Sequence, residues 1–580
     1  MKAGKAEPIL LALLSGLLLT ASFPPGRFAF LAWVALVPLL RSLQTAAPSL
    51  AFRLGFAAGL AHSLTLIYWV MIVMGHYGHL PLPVSASILI LFSLYLALYP
   101  AVFAWGCSFL AKTFLGSLKV AALWVALEYV RGNILTGFPW CLLGHSQYLN
   151  LEAIQVADLV GAYGTSFILV LASALIGSLA FGREPSRWKR EAPLGLLILV
   201  LALGYGVYRT SFSDPAPAQR FVKIAVVQGN IDQSIKWNPA YQEKTVEIYR
   251  TLTLQSRTFS SDLVVWPETA APLFFQDGEP LARRILLTAQ QAGAHLIFGS
   301  PAYRRQQGSV SFFNRAYLLS PGAEVLGSYD KVHLVPFGEY VPLKRFLPFV
   351  QRLVVSAGDF LPGETLAPLS FPQAPAGVLI CFESIFPELG RAMTQQGAAL
   401  LVNLTNDAWY GMSSAPFQHF SMAVFRAVEN RRPLVRAANT GISAFILPSG
   451  KILEQSDLFT EALLVRDVPV PESRLTFYTR TGDWFALLLT ILSAVNLFVA
   501  FWYDRKKPCW RASFSRLPTP QEDDRYASGS HRKNRKHQGP TSSVARSSLT
   551  WINCKKNSTK SKKPWPRPIS GKGIRTRSPG

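Results

Sequence analysis

The chain has 580 residues, a formal net charge of +24, a hydrophobic share of 50% and only five cysteines. That length exceeds one ordinary domain, and that hydrophobic share is high for a wholly soluble protein. Cys107, Cys141, Cys381, Cys509 and Cys554 form no CxxC pair and no Cys/His cluster, which argues against a zinc site or a disulfide framework.

The apolar residues crowd into the first two hundred or so positions and one later stretch. A run of about 20 apolar residues spans a bilayer as a helix. Candidate spans are 9–22, 28–40, 54–74, 84–110, 120–135, 163–181 and 194–207, with an eighth at Trp484–Trp502. The first two are short and suit a hairpin. Lys2 and Lys5 precede the first, which ends near Ala21-Ser22 like a signal peptide. We read it as a retained span, because further apolar segments follow at once.

Loop charges orient the spans. Arg41 and Arg53, Lys112 and Lys119, the Arg183–Arg190 cluster, and Arg505 with its neighbours all fall on the side shared with Lys2. The alternate loops are poor in Lys and Arg, so the basic side is cytoplasmic. Seven spans within 1–210 then put residues 221–470 on the outer face, and cleavage of the first span would not change this. The loop 131–150 carries Gly137-Phe-Pro-Trp140 and Gly144-His-Ser-Gln147 and faces the same side. Its aromatics mark the interface or form a lip of a substrate entrance. Glu128, inside the fifth span, is a functional candidate, or an acid near enough the span end to reach water.

From Phe221 the pattern changes to alternating strands and helices. Strands are expected at 223–231, 262–266, 295–300, 316–320, 324–329, 377–381, 399–404, 434–439 and 444–447. Helices are expected at 240–255, 280–292, 386–395 and 418–431. This alternation reads as an α/β domain with helices covering the sheet faces. After the eighth span (484–503), residues 505–580 hold 20 Lys and Arg against 3 Asp and Glu. Most of the +24 therefore lies in a tail too poor in aliphatics to bury a core, so the charge is no nucleic-acid footprint. The tail is read as disordered, either touching an anionic inner leaflet or merely solvated.

Four stretches of the α/β domain bear chemistry. Gly377-Val-Leu-Ile-Cys381-Phe-Glu383 is a buried strand ending on a thiol. Cys381 is the one cysteine between Phe221 and Pro471. A free Cys there simply packs, unless a neighbour favours the thiolate. Leu263-Val-Val-Trp-Pro-Glu268 runs a strand onto a carboxylate. Tyr329-Asp-Lys331 is followed by Pro336-Phe-Gly-Glu339-Tyr-Val-Pro342, and Val402-Asn-Leu-Thr-Asn-Asp-Ala-Trp-Tyr410 closes the set.

Trp-Pro-Glu268, Asp-Lys331 and Cys381-x-Glu383, in that order, resemble the carbon–nitrogen hydrolase (nitrilase) superfamily over about 222–468. The resemblance implies an αββα sandwich beside the multi-span α-helical membrane domain. Seven spans, this domain and one more span resemble the bacterial apolipoprotein N-acyltransferase family. Gln228-Gly-Asn-Ile-Asp-Gln233, Lys236-Trp237, Pro336–Pro342 and Gly137–Trp140 are words of that family. The resemblance implies Glu268 as general base, Lys331 as stabiliser of developing negative charge and Cys381 as nucleophile. Trp237, Glu339 and Glu383 match supporting positions. Phe382 departs from the Tyr of family members, so an aromatic lining role carries over and a hydroxyl role does not.

These roles suit attack on an ester. A base generates the thiolate, and Lys331 with a backbone N–H near Phe382 holds the oxyanion. Glu339 and Glu383 would keep Lys331 protonated, or form plain surface ion pairs. The segment 341–350 and Phe274-Phe275 are expected to dip into the lipid surface. The implied reaction is acyl transfer at the bacterial inner membrane. The donor is a phospholipid, typically phosphatidylethanolamine, and the acceptor is the amine of a diacylglyceryl lipoprotein. No metal or cofactor is implied. The alternatives are a membrane-tethered amidase or nitrilase acting on a small amide, and a non-catalytic scaffold or transporter.

Overall fold

In an apolar solvent a backbone must satisfy its own polar groups, and a helix does so locally. The structure, a computed structural model, describes residues 3–182, 185–212, 220–306, 309–340, 360–471 and 474–514. The segment 341–350 and the tail from 515 on lie outside the described residues. Among the described residues four helices are long and apolar enough to cross a membrane: Leu82–Leu110, Ala157–Phe181, Lys189–Ser211 and Trp484–Trp502. Pro48–Leu66 and Val70–Tyr77, bent by 52°, make a fifth if taken as one span. The sequence pattern suggested eight segments. The difference lies in the short helices Ala6–Ala21 and Ala29–Leu43, and in Gly116–Asn133, which carries Lys119, Glu128 and Arg131. The final helix runs on to Phe514, into the stretch read as tail. Small residues set close helix contacts. A Cβ at Gly55 would lie 2.3 Å from the Pro100 carbonyl oxygen, the kind of approach that drives helix association in lipid.

Among the described residues the α/β half holds eleven strands: β1 Arg220–Gln228, β2 Leu263–Val265, β3 His295–Gln306, β4 Ser309–Leu319, β5 Val325–Asp330, β6 Ala376–Ile380, β7 Leu400–Thr405, β8 Leu434–Ala438, β9 Ala444–Ile446, β10 Ile452–Gln455 and β11 Ala462–Val470. One sheet has the order β11-β1-β2-β3-β4-β5 and the other β10-β9-β8-β7-β6. Period-two alternation assigns the faces. Val222, Ile224 and Val226 share a core with Val378, Ile380 and Val402 of the other sheet. Their chain neighbours Ala225 and Val227 pack with Val246, Tyr249 and Ile285 from helices Pro239–Ser256 and Pro280–Ala292. Helices Pro387–Gln395 and Ala415–Asn430 belong to the other sheet. This is the αββα sandwich.

β1, β2 and β3 run parallel, as do β6, β7 and β8. Parallel strands deliver their C-terminal ends to one edge, where ligand sites of α/β folds lie. Glu268, Cys381 and Asn406 follow three such ends. Two strands were not anticipated, β10 and β11. β11 pairs with β1 along its whole length, but Arg466, Asp467 and Pro469 make it read as loop. It lies at the sheet edge, where a proline is tolerated.

Residues Met1–Ala512 form one compact unit. In helix Ala415–Asn430 every residue but Phe417 is buried. A helix buried all round has partners on both sides. Here they are the second sheet and the membrane half.

Candidate active site

β2 ends where Pro267 withholds an N–H from the ladder, and the chain turns out through Glu268 and Thr269. Gly299 of β3 permits this turn: a Cβ there would sit 2.5 Å from the Thr269 nitrogen. Glu268 is buried, at 7% exposure. Its Oε1 accepts from Asn314 Nδ2 at 2.8 Å and its Oε2 from the Asn406 N–H at 3.0 Å.

Lys331 follows β5 and is 1% exposed. Its backbone is fixed on both sides: its N–H donates to the Asn314 carbonyl at 2.9 Å, and its carbonyl accepts from Gly363 at 2.8 Å. Its Nζ donates to Glu339 Oε1 at 3.0 Å and lies 2.9 Å from Oε2. Glu268 Oε1 is 3.6 Å away. Burial acts to lower the ammonium's pKa. The Glu339 carboxylate, then that of Glu268, more than offset it and hold Lys331 above its ordinary value. Asn314 Nδ2 also donates to Glu339, at 3.0 Å, so one amide braces both carboxylates.

Cys381 begins the turn after β6 with φ of +53°. A non-glycine residue held left-handed stores strain, and such outliers cluster at functional sites. Its carbonyl accepts from Ser384 Oγ at 3.0 Å and lies 3.2 Å from His419 Nε2. Burial pushes the thiol's pKa up, Glu268 adds to that, and Lys331 opposes both. The charges of base and ammonium therefore both act on the sulfur, whose resting form is the thiol.

The supporting residues divide. Glu339 pairs with Lys331 as expected. Glu383 does not: its Oε1 accepts from Tyr329 Oη at 2.9 Å and from the N–H groups of Val332 and His333 at 2.7 and 3.0 Å. Its Oε2 accepts from the Ile380 N–H at 2.7 Å. The carboxylate thus ties the chain after Lys331 to the strand before Cys381. Phe382 lies against Phe386 and His333, with ring centroids 5.1 and 6.0 Å away, an aromatic lining. Trp237 is half-exposed, 48%. Its neighbour Lys236 is the buried one, and sequence reasoning gave it no role. Asn314 and Asn406 were likewise missed as ligands of the base. An Asn inside the apolar run Phe312-Phe-Asn-Arg-Ala316 was the available signal. Phe275 packs in the core against Phe298 and Tyr317, at 5.0 Å from each, so it does not dip into lipid. Half-buried Phe274 meets Tyr303 and Phe312.

Beneath the nucleophile lies a buried polar network. His419 Nδ1 is 2.9 Å from Asp407 Oδ1, and Arg436 donates to Asp407 Oδ2 at 2.7 Å. The network meets the membrane half. Trp69 and Trp140 both donate Nε1 to Gln418 Oε1, at 3.1 and 2.8 Å, and the Trp140 ring stacks on His419 at 5.7 Å. Trp140 is therefore a joint, neither an interface marker nor a lip. Glu128 is buried and accepts from the Leu143 N–H at 2.7 Å, holding the loop that carries Trp140. Among the described residues no group of three or more His, Cys, Asp or Glu is placed to hold a metal ion.

Residues 223–477 match the carbon-nitrogen hydrolase family model, and residues 15–175 match that of the apolipoprotein N-acyltransferase N-terminal domain. The chain is 46% identical to the apolipoprotein N-acyltransferase of Geobacter metallireducens over 505 residues, 85% of this chain and 95% of that relative. It is 35% identical to that of Methylococcus capsulatus, covering 83% and 94%. A crystal structure of a carbon-nitrogen hydrolase from Helicobacter pylori G27 aligns at 18% identity with a TM-score of 0.34, over 43% of this chain and 89% of that one.

Proposed function

The chain belongs to the apolipoprotein N-acyltransferase family, and from that premise we propose that it moves a fatty acyl chain from a membrane phospholipid to the N-terminal amine of a diacylglyceryl-cysteine lipoprotein. The intermediate is a thioester on Cys381. The observation that carries this reading is the meeting, where strands of the two sheets end, of a strained cysteine, a buried carboxylate held by two amide donors, and an ammonium 3.6 Å from that carboxylate.

The thiol rests protonated, so its proton must leave as the carbon–sulfur bond forms. Glu268 takes it while Sγ attacks the ester carbonyl. The tetrahedral oxyanion meets Lys331, already charged and fixed, so little reorganisation opposes the step. Collapse breaks the ester C–O bond, Glu268 returns the proton to the alkoxide, and a lysophospholipid leaves. The acceptor amine then attacks the thioester and gives a proton to Glu268. The amide forms, the thiolate departs, and the proton returns to Sγ. Two half-reactions share one base and one cation.

Phosphatidylethanolamine is our proposed donor. The loop charges support a bacterial inner-membrane location with both termini cytoplasmic and the α/β half periplasmic. The test is mass spectrometry of the intact protein after exposure to phosphatidylethanolamine, wild type beside Cys381→Ser. We expect an acyl adduct on the wild type, removed by a diacylglyceryl-peptide amine, and no thioester on the variant. Ammonia release from small amides without any adduct would replace this reading with the amidase.

A further inference from the structure

Lys236 is 1% exposed, among the most fully buried large side chains of the protein. Its Nζ donates to the Glu268 carbonyl at 3.2 Å and to Thr269 Oγ1 at 2.6 Å. Among the described residues no carboxylate lies within ion-pair distance of it. An uncompensated buried ammonium is costly, so its place under the base calls for a reason.

Two observations supply one. The first is charge. Glu268 is a buried carboxylate and Glu339 a partly buried one, and Lys331 sits closer to Glu339, 2.9 Å against 3.6 Å. With Lys331 alone the cluster carries an excess negative charge, which works against ionisation of Glu268 and of the thiol. With Lys236 the cluster balances. The second is geometry. Thr269 is a non-glycine residue at φ of +46°, and Lys236 holds both its hydroxyl and the carbonyl before it. The same segment reaches the base from another side: Gln233 Oε1 accepts from Asn406 Nδ2 at 2.7 Å, and the Asn406 N–H holds Glu268 Oε2.

We propose that Lys236 is the second cation of the catalytic centre, a positioning residue that keeps Glu268 ionised and its turn fixed. This rests on the roles given above to Glu268 and Cys381. Burial pulls the Lys236 ammonium down to about 8, with Glu268 and then Cys381 acting to raise it. Lys331 and Glu339 are the other charged groups of the cluster. The neighbouring Glu268 carboxylate therefore works to keep the buried ammonium charged.

The experiment reads the first half-reaction alone, single-turnover lysophospholipid release from phosphatidylethanolamine in detergent, across pH 5 to 10. Wild-type release together with the acyl adduct establishes the thioester reading independently. Lys236→Gln keeps donors but removes the charge. Its rate should fall at least tenfold at pH 7, and its acid limb should move up by about one unit. Lys236→Arg keeps the charge and should keep the acid limb in place. Thr269→Val removes one hydrogen bond and leaves the charge, so its limb should stay in place. A rate lowered equally at every pH in Lys236→Gln, with an unmoved limb, would reduce Lys236 to a structural brace and overturn the proposal. So would a Lys236→Arg enzyme whose acid limb moved up as far as that of Lys236→Gln, since the charge is kept there.

Discussion

Gly299→Ala tests whether the position of the base, rather than its mere presence, sets the rate. The added Cβ would lie 2.5 Å from the Thr269 nitrogen, 2.8 Å from Glu268 Cα and 2.9 Å from the Pro267 carbonyl oxygen. All three are backbone atoms, so no side chain can rotate away. Carbon contacts relax at about 3.5–4.0 Å, so strand and turn must part by about 1 Å. Two bonds resist locally: the Gly299 N–H to the Pro267 carbonyl at 3.2 Å, and the Ala271 N–H to the Gly299 carbonyl at 3.1 Å. Overpacking of this kind costs about 1–3 kcal/mol of stability. The rate should suffer more, by about a hundredfold, because a 1 Å misplacement of a reacting group costs that much. The assay is single-turnover thioester formation, with thermal inactivation measured on the same preparation. Gly204→Ala is the control, since a Cβ there meets nothing within 4 Å. A Gly299→Ala enzyme acylated within about threefold of the wild-type rate would refute the claim that base placement is limiting.

Three further outcomes are expected. Trp140→Ala should lose about 3–5 kcal/mol, the usual cost of emptying a buried tryptophan site. Trp140→Phe should lose only about 1 kcal/mol, since Gln418 Oε1 keeps Trp69 as donor; inactivation half-lives in detergent rank them, and equal half-lives would contradict the joint. Glu383→Gln turns an amide nitrogen toward a backbone N–H on one side of the tie and should slow acylation about a hundredfold with little change in phospholipid KM; an unchanged acylation rate would mean the tie is dispensable. Burial works to raise the Asp407 carboxyl, but Arg436 and then His419 hold it well below the usual range. Its contribution to stability is therefore present above its unfolded pKa, about 3.9, and is lost as pH falls through the folded value. Asp407→Asn should flatten that acid loss and, by leaving Arg436 without its buried partner, cost about 3–5 kcal/mol at pH 7; unfolding followed from pH 6 down to about pH 2 distinguishes the two.

Legibility in the sequence followed range. Cys381 and Glu268 stood out because each follows an apolar run that reads as a buried strand, and a polar residue at such an end is conspicuous. The helices of the α/β half were legible to within a few positions for the same reason. Lys331 follows the mostly exposed β5 and was legible only through its family word, Asp-Lys331. What failed were statements about partners. Glu383 was assigned to Lys331 because both look catalytic, yet its four donors come from residues 329, 332, 333 and 380. A carboxylate three positions after a strand folds back onto backbone N–H groups that no pattern advertises. Lys236 and Trp237 were equally visible, and the aromatic drew the role although the lysine is the one turned inward. Asn314 acts from the middle of β4, where alternation marks it as inward-facing but cannot say toward what.

The membrane half does more than tether. His419 lies 3.2 Å from the carbonyl of the nucleophile through Nε2, and its ring is stacked on Trp140, a residue of the loop that Glu128 and Arg131 hold from helix Gly116–Asn133. Gln418, one residue earlier, takes both indoles. Domains joined by a flexible linker move independently by default, and a thiol on such a linker would sample many heights above the bilayer. Here the path from membrane helix to nucleophile runs through buried side chains in direct contact, so the thiol and the apolar helices hold one fixed relation. For a reaction whose two substrates are both anchored in lipid, that fixed height removes one positional freedom before either substrate binds, which is the entropic share of catalysis that a soluble member of the same fold has no means to collect.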